Sequence, residues 1–177
     1  PSGIQNSMIG LANVIVQSQI NSFGKPAMAA YGAHAKIEGF AFLPITSFNM
    51  ASTTFISQNL GAGQHDRAKK GSRFAILAAV LLAEAIGVFC FIFSPTLIGF
   101  FDQTPLVIEL GVKQARTAAL FYCLLAFSHS VAAVCRGAGK AFVPMLVMMS
   151  IWGGVRVCYI AAVMHFTNDI GFIYWAY

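Results

Sequence analysis

Charge is what this sequence has least of. Only 10% of its 177 residues are charged, against 58% hydrophobic, where soluble domains carry about a quarter charged residues. A water-soluble chain of this length has too little interior to hide so much apolar surface. A soluble domain is excluded on that ground, and an integral membrane protein is expected. Aspartate and glutamate together number six. No paired aspartates, HExxH or Ser/His arrangement falls within an apolar run, which argues against an enzyme embedded in the membrane. Cys90, Cys123, Cys135 and Cys158 lie singly in apolar segments, with no CxxC or Cys/His metal spacing. They read as small packing residues, not as disulfides or metal ligands. The net charge of +5 is not gathered into a basic stripe with interleaved aromatics, so no nucleic-acid surface is expected. No basic start with an apolar run and small-residue cleavage site marks a signal peptide. The chain begins at Pro1 and ends at IYWAY within an apolar run, and it is expected to be a piece of a longer protein or the product of an incomplete gene.

What is present is long apolar runs. A membrane-crossing helix needs about 20 apolar residues in a row. That ruler predicts an all-α polytopic helix bundle of five transmembrane helices and the start of a sixth, forming one domain over 1–177. The spans are expected at roughly 3–23, 28–59, 74–100, 115–135 and 141–164, with the last beginning near Ile170. Barrel strands are half that length and alternate strictly, whereas TAALFYCLLAFSHSVAAVC does not alternate. Gly24-Lys25-Pro26, Gly61-Ala62-Gly63 and Gly137-Ala138-Gly139 punctuate the spans, and glycine suits a left-handed helix cap. Ser94-Pro95 and Thr104-Pro105 are expected to bracket a wetter loop holding Asp102.

The stretch SQNLGAGQHDRAKKG, residues 57–71, looks at first like a phosphate loop. The pattern GxxxxGK[ST] is absent and no strand precedes the glycines. A helix cap followed by a basic cluster at the membrane surface is the better reading. Arg67, Lys69, Lys70 and Arg73, with Arg136 and Lys140, outweigh Lys25, Lys113 and Arg116 on the opposite side. Positive-inside bias then predicts loops 60–73 and 136–141 to be cytoplasmic.

Several of these stretches carry a family resemblance. KIEGFAFLPI and FISQNLGAGQHDRAKKG resemble a second helix, and the turn after it, in the multidrug and toxic compound extrusion (MATE) transporters. PSGIQNSMIGLANVIVQSQINSFG resembles the preceding helix; RGAGKAFVP and IWGGVRV resemble the entry and middle of the fifth. Gln58–Gly63 with Arg67-Ala68 is the most specific part. The resemblance implies a twelve-helix protein of two six-helix lobes, of which this chain is the C-terminal one and the N-terminal lobe is missing. It implies secondary active export of drugs, or of cationic or amphipathic organic compounds, across the cell membrane by alternating access. It implies a coupling ion, H+ or Na+, and no other cofactor. Some family members carry acidic residues in the first and fourth helices of this lobe; spans one and four here have none. A flippase for a lipid or lipid-linked oligosaccharide, or a non-transporting membrane subunit, remains the alternative.

Ionisable groups inside hydrocarbon are functional candidates by default. Arg156 lies about 24 Å from the inner face, counting about 1.5 Å per residue from Lys140. Glu38 precedes the uncharged stretch 39–58 and falls at a similar, outer depth, so the two are expected to pair or to share a cavity; an interfacial glutamate meeting water is the plain alternative. Lys36 is two residues from Glu38, on the opposite side of a helix, and is expected to snorkel outward. Glu84 falls near the midplane, as a protonatable relay or as a neutral acid bonded to a neighbouring helix. Asn13, Gln17 and Asn21 recur every four residues and form a ridge, read either as the wall of a watery cavity or as interhelical hydrogen-bonding groups. Pro44 inside span two is a hinge candidate. His34, His129 and His165 read as hydrogen-bonded or interfacial. Phe40, Phe42, Phe48 and Met50 are candidates to meet a flat organic cation, with a lipid-facing or packing role the plainer alternative for each. No metal site is expected.

Overall fold

The computed structural model describes residues 2–156 together with 158, 159 and 162. Among them every regular element is helical: α1 (Ser2–Asn21), α2 (Lys25–Gly61), α3 (His65–Gly99), α4 (Pro105–Ala119), α5 (Tyr122–Gly137) and α6 (Phe142–Met148). α6 runs directly into a π-helical stretch, Met149–Val155. The fold is the all-α polytopic bundle that the apolar runs require. The sixth span and His165 lie outside the described residues.

The caps follow from local chemistry. Gly63 and Gly139 take φ of 71° and 77°, the left-handed conformation that closes a helix without a Cβ clash. Gln64 N–H then reaches back to Asn59 O at 2.8 Å, and Lys140 N–H to Cys135 O at 2.9 Å. The two Gly-Ala-Gly triplets thus build the same cap at the end of α2 and of α5. At ~1.5 Å per residue α2 and α3 are each ~50 Å long, well beyond a hydrocarbon core of ~30 Å.

Packing is arranged as a bilayer demands. The buried stripe of α3 is Ala75, Ala79, Ala83, Gly87, Cys90 and Ser94, small residues that let helices approach closely. The opposite face exposes Phe74, Leu77, Leu81, Val88 and Ile92. Large apolar side chains outside and small ones inside are what lipid contact favours, because hydrocarbon gives no drive to bury leucine. α3 packs on α2, α4 and α5, while α1 and the π-helical stretch lie against each other beside α2.

Three expectations about boundaries are corrected. The basic cluster at 67–73 is helical, forming the first turns of α3, so the connection after α2 shrinks to residues 62–64. Pro95 lies inside α3 and does not end it. The carbonyl its ring cannot satisfy, Phe91 O, accepts from the Ser94 hydroxyl at 3.1 Å, a local repair known for prolines in membrane helices. The fourth span, expected as one helix over 115–135, is two helices, α4 and α5, meeting at a bend of 52°. Among the described residues α3 is the one helix that qualifies as a simple span by length and mean hydropathy, and α4 with α5 qualify as a bent one.

Candidate functional site

The π-helical stretch ends immediately before Arg156. Such stretches insert an extra residue into a turn and recur at functional sites; this one delivers a guanidinium into the bundle. Arg156 is 6% exposed. Its Nη1 donates to Asn13 Oδ1 on α1 at 3.0 Å. Its charge also acts on the Glu38 carboxyl of α2. The guanidinium thus ties the π-helical stretch to α1, with Glu38 of α2 within electrostatic range of it.

The remaining side chains of this site follow from helical geometry. Gln17 Nε2 donates to Asn21 Oδ1 at 3.2 Å, so the Asn13–Gln17–Asn21 ridge shares a face, with Asn13 and Asn21 exposed. Lys36 turns away from Glu38 and lies 5.4 Å from the Phe101 ring centre. On the inner side Glu38 lies within electrostatic reach of Tyr122, a fully buried ring held edge-on against Phe42 at 5.2 Å. Phe42 is thereby a core residue, whereas Phe40 and Met50 are open.

Glu84 is not brought to this group. It lies on an exposed flank of α3, off the small-residue stripe. Pro44 leaves α2 continuous through all 37 residues; the bend of 52° lies instead at the α4–α5 junction. His34 is buried at 1% exposure.

Sequence reading passed over several polar residues. Ser130 Oγ donates to Asn49 Oδ1 at 3.0 Å, linking α5 to α2. Thr53 Oγ1 lies 2.9 Å from Asn49 O and 3.1 Å from Ala133 O, clasping the same pair of helices. Gln114 on α4 is 1% exposed and its amide has no hydrogen-bond partner among the described residues. The available signal was the hydroxyl-rich run TSFNMASTTFISQN at 46–59. Serine and threonine can bond to their own helix backbone, so such a run leaves no mark on an apolar-length ruler.

Known proteins place this arrangement in context. The MatE family model matches residues 1–160. The chain is 24% identical to the probable multidrug resistance protein YoeA of Bacillus subtilis, covering 95% of this chain and 36% of that protein. It is 27% identical to an FAD transporter of Shewanella oneidensis, covering 62% of this chain and 24% of that protein. In structure it is similar to a MOP superfamily transporter from Pyrococcus furiosus, with a TM-score of 0.88 at 18% identity, over 98% of this chain and 38% of that one. A MATE transporter in complex with MaD3S gives 0.89 at 18% identity, over 98% and 39%. The chain thus spans between about a quarter and two fifths of the length of these proteins. A family match over almost the whole sequence, on a helical fold shared with one part of solved transporters, shows that this chain belongs to the MatE family of membrane transporters.

Proposed function

We propose that the chain is one lobe of a secondary active antiporter that exports drugs, or other cationic or amphipathic organic compounds, by alternating access. The observation that carries this is the Glu38, Arg156 and Asn13 group at the junction of α1, α2 and the π-helical stretch. An ionisable acid beside a buried cation has two charge states of different partner preference. In one, Glu38 is ionised and drawn to the Arg156 charge; in the other, it takes up the coupling ion and that attraction is lost. Substrate binding and ion binding then exclude each other, which is the requirement for antiport.

Two further features support the reading. Relatives of this chain are named multidrug resistance proteins. The fold is also shared with an outward-facing and with an inward-facing structure of multidrug resistance MATE family transporters, with TM-scores of 0.88 and 0.84, and lobes of such transporters are expected to rock as bodies. The partner is then a second, N-terminal lobe, and both sit in the lipid of the cell membrane as a multi-pass protein. The Gly-Ala-Gly turns and the basic first turns of α3 face the cytoplasm. The coupling ion is H+ or Na+, with no other cofactor.

The test is transport by the complete two-lobe protein in proteoliposomes, with ethidium as the probe and an imposed proton or sodium gradient. Gradient-driven ethidium movement is expected, and Glu38→Gln is expected to abolish it while residues 1–177 alone carry none. Undiminished transport by Glu38→Gln removes the acid from the coupling step. Absence of transport under either gradient removes the antiport reading.

A further inference from the structure

The lower half of α2 and the end of α5 enclose an open groove of about 350 Å³. Thr46, Asn49, Thr53 and Thr54 line one wall, His129 and Arg136 the other. Asn49 lies about 18 Å from the inner end of α2 and His129 about 12 Å from that of α5, at about 1.5 Å per residue. The groove is therefore separate from the Glu38 group in the outer half. α3, by contrast, shows large apolar side chains outward, so a polar open face on α2 calls for a different explanation.

The chemistry of the walls is specific. His129 and Arg136 are seven residues apart, two turns along one face, and the Arg136 charge acts on His129. Among the described residues no carboxylate lines the groove. Asn49 Oδ1 already accepts from Ser130, which leaves its amide N–H groups as donors. The hydroxyls of Thr46, Thr53 and Thr54 donate to backbone carbonyls at 2.9, 2.9 and 3.2 Å, which leaves their oxygens as acceptors. The α5 wall thus offers a fixed cation and an imidazole, and the α2 wall a donor amide set in a row of acceptors.

We propose that this groove binds the anionic group of a hydroxylated organic anion, a phosphate or carboxylate carried on a polyol. The anion sits against Arg136, His129 and Asn49; the hydroxyls of the ligand donate to the threonine row. A polyol phosphate in solution and a glycerol phosphate headgroup of a lipid share that chemistry. The site stands apart from the coupling acid, so the complete protein can fail the antiport test and still hold it.

The experiment places a cysteine at Met50, which lines the groove and is 73% exposed, in the complete protein with the native cysteines replaced. Rates of modification by an anionic and a cationic methanethiosulfonate are compared in phosphatidylcholine nanodiscs. Arg136→Gln is expected to shift the anionic-to-cationic ratio by about fivefold or more toward the cation, as loss of a unit charge nearby requires, and Arg136→Lys to preserve it. Glycerol 3-phosphate, with glycerol as the uncharged control, is expected to slow modification. Protection in phosphatidylcholine nanodiscs identifies the soluble source; protection found only on changing to phosphatidylglycerol identifies the headgroup. A ratio indifferent to Arg136→Gln, in protein that remains monodisperse, overturns the proposal. So does the absence of protection in both lipids.

Discussion

Arg156 reaches across from the end of the π-helical stretch to α1, donating from Nη1 to Asn13 Oδ1 at 3.0 Å, and so ties together residues 143 positions apart. The contact fixes where the guanidinium stands relative to Glu38. Asn13→Ala is expected to lower stability by about 1–3 kcal/mol, since a hydrogen-bond acceptor of a buried charge is lost. Thermal unfolding in detergent measures it. Asn13→Ala and Arg156→Gln combined should fall short of their sum by about 0.5–3 kcal/mol, as contacting residues do. Strict additivity would show that the bond carries no energy.

Glu38 and Glu84 should separate cleanly. Glu84 sits on an exposed flank of α3, and Glu84→Gln is expected to change stability by no more than about 0.5 kcal/mol. Glu38→Gln takes away a carboxylate within electrostatic range of buried Arg156, and loss of a charged partner beside a buried charge is expected to cost about 1–3 kcal/mol. Equal unfolding temperatures for the two variants contradict the placement of either acid.

Gly137 is a close-approach glycine. A Cβ there would stand 2.8 Å from Thr53 O and 3.0 Å from Ile56 Cβ. Backbone cannot swing aside as a side chain does, so Gly137→Ala should part α5 from α2 and cost about 1–3 kcal/mol. At Gly10 on α1 a Cβ would meet nothing within 4 Å among the described residues, and Gly10→Ala is expected to be neutral or to stabilise by up to about 1 kcal/mol. The reverse order of the two melting temperatures contradicts the packing of α2 on α5.

The Ser130–Asn49 hydrogen bond is interhelical and buried. Ser130→Ala should cost about 0.6 kcal/mol, rising at most to about 1.7, the range found for such bonds in lipid. Ser130→Thr retains the hydroxyl and serves as the comparison. A Ser130→Ala protein as stable as the parent shows that Asn49 finds another donor without loss.

Asp102 lies in the connection before α4. The Thr104 hydroxyl and backbone N–H both donate to it and hold its carboxyl below the usual carboxylate range, the N–H at 2.8 Å. A folded value below the unfolded one means the contribution is present above the unfolded value of about 3.9 and disappears as pH falls through the lower folded value. Carbon NMR of the Asp102 carboxyl should show the depressed midpoint, and Thr104→Val should raise it. A midpoint at the ordinary value shows that the turn does not hold the charge.

The sequence by itself determined the material of the fold. Runs of apolar residues longer than a bilayer is thick permit only helices, because a lipid-exposed backbone must satisfy itself. The Gly-Ala-Gly triplets located the ends of α2 and α5, because a left-handed cap needs glycine. Residue counting along two helices placed Glu38 and Arg156 at one depth, because helical rise is constant. What the tertiary structure alone decided is everything that depends on rotation about a helix axis and on a neighbour. It turned Glu84 outward, put Pro95 inside a helix that Ser94 repairs, and divided one expected span into α4 and α5. It also set the hydroxyl run of α2 against Arg136 and His129. Length and composition are properties of one helix, but which face is buried is a property of two.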